Sequence, residues 1–211
     1  TNIGVMRADG GALRLLSTFQ GANSFPKWGP AKTFVTYSTN RFWPGWDICK
    51  WDTATSKESC VLSGTASYCR GTWDRAGKRL VYSRGSFEQI DLELLDTSTN
   101  QKVPVTNLDG KEYDASFSPD EKLIIFAADS GSRDLYNLHV VDNEKKVSAL
   151  VVSKTISIRH PTWTAARTID LESERIKEAE QEVRDAASPT SSAEHLMMDT
   201  AEAPPSPDSL P

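Results

Sequence analysis

Large aromatic residues recur along this chain as Trp28, Trp73, Phe117 and Trp163, at intervals of 45, 44 and 46 residues. Nine residues after each of the first three stands another ring: Tyr37, Tyr82 and Phe126. Acidic residues keep the same beat as Asp47, Asp91 and Asp134, each opening a short apolar stretch. Several columns held in register over three copies define a repeat protein. That confines the chain to architectures in which one supersecondary unit stacks on the next.

Within each copy the period is that of strands. Phe34-Val35-Thr36-Tyr37, Leu80-Val81-Tyr82 and Leu123-Ile124-Ile125-Phe126 are short runs of β-branched and aromatic residues. Turn chemistry separates such runs at fixed offsets, as in Ser118-Pro119-Asp120, Asp74-Arg75-Ala76-Gly77, Asp52-Thr53 and Asp96-Thr97. Proline presets the φ that a turn needs, and aspartate bonds the backbone just after it. Four short strands in about 45 residues make one blade of a β-propeller, and Tyr37, Tyr82 and Phe126 are each expected to pack against the next blade's sheet. The expected fold class is all-β.

These residues resemble the TolB-like family of β-propellers. Its repeat runs Pro-x-Trp/Phe-Ser-Pro-Asp-Gly-Lys, an apolar strand, Ser-x-Arg, a gap, and Asp-Ile/Leu-Tyr. The third copy matches best, from Phe117-Ser118-Pro119-Asp120 and Lys122 to Asp134-Leu135-Tyr136. The first keeps Trp28, Ser38, Arg41 and Asp47-Ile48, and the second keeps Trp73, Gly77-Lys78, Ser83-Arg84 and Asp91-Leu92. The resemblance implies three complete blades within residues 1–164, with partial blades at both ends: two outer strands in residues 1–20 and one inner strand in 159–164. That falls short of a closed ring, and the chain starts at Thr1. Upstream blades are therefore expected, as part of a propeller of about six or seven. An incomplete propeller is expected to self-associate.

Composition divides the chain at the same place. All 18 aromatics and all 12 glycines lie at or before Trp163, while residues 165–211 hold 11 acidic against 4 basic side chains. Residues 165–188 lack Gly and Pro and carry a narrow apolar stripe, which predicts an acidic helix. Residues 189–211 are rich in Pro and Ser without any aromatic, which predicts a disordered tail.

Three cysteines, Cys49, Cys60 and Cys69, show neither an even count nor Cys-x-x-Cys spacing. The expectation is free thiols in a reducing compartment, the cytoplasm before an exported location, although one pair could cross-link in an exported chain. No apolar run reaches the length of about 20 residues that a membrane helix needs, so no membrane insertion is expected. A net charge of only +2 over residues 1–164 leaves no footprint for nucleic acid.

Catalytic signatures are also missing from the sequence. There is no Gly-x-Ser-x-Gly elbow and no phosphate loop, and His139, His160 and His195 share no ligand spacing. No catalytic residue, cofactor or metal is expected. The repeated Asp47, Asp91 and Asp134 read as structural, holding backbone N–H groups of neighbouring loops. The candidate binding residues lie where the first copy breaks its own pattern, in Arg41-Phe42-Trp43-Pro44-Gly45-Trp46. Trp and Arg dominate binding hot spots, which marks Arg41, Trp43 and Trp46 for a protein or peptide partner, or a carbohydrate. Two function classes follow. One is a non-catalytic interaction module; the alternative is the propeller portion of a larger peptidase or carbohydrate-active enzyme.

Overall fold

Each of the three copies folds as one four-stranded antiparallel sheet whose strands follow in chain order. The computed structural model describes residues 1–17, 20–42, 44–86, 88–129, 131, 135–152 and 157–163. A hairpin of β1 (Gly4–Val5) and β2 (Arg14–Leu15) precedes the blades. Blade one contains β3 (Asn23–Trp28), β4 (Phe34–Thr39), β5 (Asp47–Asp52) and β6 (Glu58–Leu62). Blade two contains β7 (Ser67–Trp73), β8 (Arg79–Gly85), β9 (Ile90–Asp96) and β10 (Gln101–Pro104). Blade three contains β11 (Glu112–Phe117), β12 (Leu123–Asp129), β13 (Tyr136–Asp142) and β14 (Ser148–Val152). First strands neighbour one another, β3 beside β7 and β7 beside β11. The all-β blade architecture is that of the repeat.

Residues 1–20 supply the two strands expected of them. The inner strand expected after residue 158 is not paired among the described residues. That stretch is held instead by Ile158 N–H on the Tyr136 carbonyl and by Trp163 Nε1 on the Ser116 carbonyl. Residues 165–211, with the expected helix and tail, lie outside the described residues. Among those described, no helix is long and apolar enough to cross a membrane.

Aspartates at the ends of third strands close the hairpins that follow. Asp52 accepts the N–H of Ala54 and Thr55, Asp96 those of Ser98 and Thr99, and Asp142 those of Glu144 and Lys145. Each carboxylate supplies acceptors that the turning backbone would otherwise lose. Serines of the second strands tie blades together: Ser38 Oγ accepts from Arg70 N, and Ser83 Oγ donates to the Glu112 carbonyl. Trp73 bridges the first two blades, its ring T-shaped to that of Phe34 at 5.2 Å between centres and its Nε1 donating to Thr36 Oγ1. Trp28, the matching residue of blade one, is 49% exposed.

Tyr37, Tyr82 and Phe126 are all buried. Sequence reasoning places each ring against the next sheet, and the structure corrects the direction. Tyr37 packs with Ile3 and Leu16 of the hairpin segment, Tyr82 with Ile48 and Leu62 of blade one, and Phe126 with Leu92 and Leu94 of blade two. Each faces the sheet before it. In β8 the intervening Val81 points the other way, into the core shared with blade three. A sheet covered on both faces is apolar on both, so a two-residue period cannot mark which face is which.

The cysteine expectation is also corrected. Cys49 and Cys60 are register partners across β5 and β6 and are joined as a disulfide, whereas Cys69 stays free and buried. A hairpin, not a sequence motif, brings the pair together.

Glu112, fully buried at the start of β11, latches blade three to blade two. Oε2 accepts from Leu92 N and the Thr106 hydroxyl, and Oε1 from Leu108 N. Burial outweighs those bonds and pushes the carboxyl from its ordinary 4.5 up to about 7. The folded chain therefore holds this proton more tightly than the unfolded one. The contribution is full below pH 4.5 and is lost as pH rises through about 7. Glu112→Gln should abolish that loss, which amounts to about 3 kcal/mol at most. Urea midpoints of both proteins across this range test it, and parallel pH profiles would refute it.

Candidate functional site

The first strand of every blade carries the same irregularity. Pairing slips between Ser24 and Lys27 in β3, between Cys69 and Thr72 in β7, and between Tyr113 and Ser116 in β11. Three residues before each repeating aromatic the backbone turns left-handed, with φ of 57° at Phe25, 57° at Arg70, 60° at Asp114 and 53° at His160. None of these is glycine, and an L-residue there costs about 1–2 kcal/mol. A bulge re-aims one side chain while the strand continues. Here it aims three chemically different side chains, Phe25, Arg70 and Asp114, from equivalent places, and His160 repeats the backbone turn outside a paired strand.

Those side chains and their neighbours interlock. The Arg70 guanidinium carbon lies 3.9 Å from the ring centre of Phe25 and 4.6 Å from that of Tyr113. Arg159 lies 5.2 Å from Tyr113 and 4.3 Å from Tyr136. Asp114 joins both cations, with Oδ1 2.5 Å from Arg70 NH1 and Oδ2 3.0 Å from Arg159 Nε. His160 adds its N–H and lies with Nδ1 3.3 Å from Oδ1. The Asp114 side chain is only 6% exposed. Burial alone would raise its carboxyl, but the bonds to Arg70 and Arg159 outweigh this and hold it below the usual range. The adjacent Cys69 thiol is pushed by burial up to about 11, so it stays protonated and unreactive.

Beside this ladder opens a cleft of about 510 Å³, lined by Phe25, Pro44, Trp46, Arg70, Lys111 and Tyr113 among others. Of the three residues marked by the sequence, the structure brings Trp46 to the cleft. Its ring centre is 6.3 Å from that of Phe25, its N–H donates to Ser67 Oγ, and its carbonyl accepts from Tyr68 N. Gly45 permits this approach, since a Cβ there would lie 2.7 Å from the Ala66 carbonyl oxygen. Arg41 does not line the cleft. It pairs with Glu58 at 2.5 Å and lies over the Phe42 ring, its side chain 11% exposed. Burial lowers the pKa of Arg41 and raises that of Glu58. Trp43 lies outside the described residues.

The repeated aspartates divide in the same way. Asp47 accepts the N–H of Gly64 in the next linker. Asp91 reaches its linker through Gln89, whose amide nitrogen donates to Asp91 and the Leu108 carbonyl and whose oxygen accepts from Gly110 N. Asp134 lies outside the described residues.

Sequence reasoning missed Phe25, Arg70, Tyr113, Asp114 and Arg159. Phe25, Arg70 and Asp114 share a column with His160, and Tyr113 and Arg159 share the preceding one with Ser24 and Cys69, so a search for a repeated residue type passes over both. One signal was present: Arg70 and Asp114 are opposite charges 44 residues apart, which is the repeat length itself.

No family model matches the chain. The protein TolB of the Tol-Pal system from Francisella tularensis subsp. mediasiatica is 31% identical over 75 residues, which is 36% of this chain and 17% of that protein. Among solved structures, TolB from Acinetobacter baumannii superposes with a TM-score of 0.68 at 19% identity, over 78% of this chain and 40% of the other. A TolB assignment from Agrobacterium tumefaciens gives 0.63 at 16%, over 71% and 55%. Puromycin hydrolase gives 0.57 at 14%, over 75% and 26%. This chain thus spans less than two thirds of each of these proteins.

Proposed function

We propose that this chain, whose blades are those of a TolB-like β-propeller, docks a protein partner as an extended peptide in the cleft beside Trp46, without catalysis by its own residues. The observation that carries the reading is the meeting of Trp46, Phe25, Tyr113 and Arg70 around one open cleft. Large rings and guanidinium groups on a rigid frame lose little entropy on binding, which is why they dominate interaction hot spots. The strained bulges support it too, because backbone strain repeated at equivalent places collects at functional sites. The Francisella relative is named as a protein of the Tol-Pal system, which agrees with a protein partner. Self-association belongs to the same proposal, since Met6, Leu13, Leu15 and Trp28 expose apolar surface beside blade one.

Selection of a random peptide display library against the full chain tests the docking reading. Recovered peptides should compete with one another and bind Trp46→Ala about tenfold more weakly, with its melting unchanged. Failure to recover any competing peptide would count against it, as would equal binding to the variant. Recovery of oligosaccharides alone on a glycan array would replace the partner with a carbohydrate.

A second reading is the propeller portion of a larger enzyme, since puromycin hydrolase carries blades of the same fold. A reading frame joining these blades to a domain with Gly-x-Ser-x-Gly would favour it.

A further inference from the structure

The register of blade one sets Tyr37, Cys49 and Cys60 in one row across β4, β5 and β6. Register partners point to the same face of a sheet, so the three side chains stand side by side. The row is closed at one end and open at the other. Cys49 is 0% exposed and packs with Ile3, Leu16 and Tyr37, whereas Cys60 is exposed on β6, the edge strand of its sheet. The ladder also slips beside Cys60, where Val61 faces no residue of β5, and a bulge of this kind loosens the local pairing. Arg41 Nη2 lies 4.0 Å from Cys60 Sγ but is already paired with Glu58, so access rather than charge distinguishes the two sulfurs.

Disulfide exchange needs the attacking thiolate in line with the bond that breaks, and its rate depends on access to the sulfur attacked. For Cys60 that line comes in from beyond the sheet edge. For Cys49 it comes from the β4 side, where the buried Tyr37 stands. We propose that the Cys49–Cys60 cystine is a modification site for small thiols, entered at Cys60. The thiolate bonds to Cys60 Sγ, the Cys49–Cys60 bond breaks, and its electron pair leaves on Cys49 Sγ, which takes a proton from water. The incoming sulfur is oxidised and the Cys49 sulfur reduced. The product is a mixed disulfide on the edge strand beside a buried thiol. Return of Cys49 to Cys60 Sγ expels the small thiol and restores the cystine. Attack of a second small thiol on the first instead frees Cys60 and carries off the small disulfide.

Reduced glutathione added to the folded full chain, followed by acid quenching and peptide mapping by mass spectrometry, tests it. Cys69, free but buried with its thiol pushed up to about 11, reports general opening of the fold. Glutathione should appear on Cys60 at least about tenfold more than on Cys49 or Cys69. Oxidised glutathione should label Cys49→Ser at Cys60 about tenfold faster than it labels Cys60→Ser at Cys49. Where either variant fails to melt cooperatively, the mapping of the unaltered chain decides. Adducts shared equally between Cys49 and Cys60 would overturn the assignment, as would a cystine that reacts only in urea. Modification of Cys69 as fast as that of Cys60 would show reaction through unfolding, and the site falls with it.

Discussion

Replacing Phe126 by alanine is expected to destabilise the blades by about 3–5 kcal/mol, the largest effect foreseen for a single apolar substitution here. The ring is fully buried in a core shared by two sheets. Val81, Leu92 and Leu94 come to that core from blade two, and Ile124 and Val141 from blade three. The His139 ring also lies beside it, 5.6 Å away between centres. Burial from the same packing lowers the His139 pKa, so no charge competes for the space. Truncation would leave a cavity between two sheets that are each held by their own ladders, which limits collapse around the void. Urea unfolding followed by tryptophan fluorescence measures the loss. A cost under about 1 kcal/mol would mean that the ring does not sit between the blades.

Asp114→Ala should be nearly as severe, at about 3–5 kcal/mol, for a different reason. The substitution removes no apolar contact. It strands Arg70, 15% exposed, and Arg159, 27% exposed, without the carboxylate they share. A partly buried cation whose partner is deleted keeps its desolvation cost and loses the attraction that offset it. Asp114→Asn tolerates the left-handed backbone and retains an acceptor, so it should recover part of the loss. Double replacement with Arg70→Met should cost less than the sum of the single changes, because the unpaired charge leaves with its partner. Strict additivity would show that the ion pair contributes nothing beyond backbone geometry. The pH signature is opposite to that of Glu112. Since folding depresses the Asp114 carboxyl, its contribution is present above about 3.8 and is lost as pH falls further.

The sequence by itself determined the blades. A 45-residue beat of aromatics, short β-branched runs and turn aspartates contains what a four-stranded antiparallel sheet needs, because those requirements are local. Trp46 was also legible, as a large ring in a loop that departs from the repeat. Tertiary structure decided the rest. Whether Phe126 meets the sheet before or after it depends on how blades stack, and residues alternating along a doubly covered strand are apolar either way. Cys49 meets Cys60 only once β5 and β6 have settled into register. Arg70 stands between two rings and above a buried carboxylate because three neighbouring strands bulge at the same height. Each of those residues, read alone, is an ordinary polar or aromatic side chain. Their chemistry as a site arises from inter-blade distances, which no window of one repeat contains.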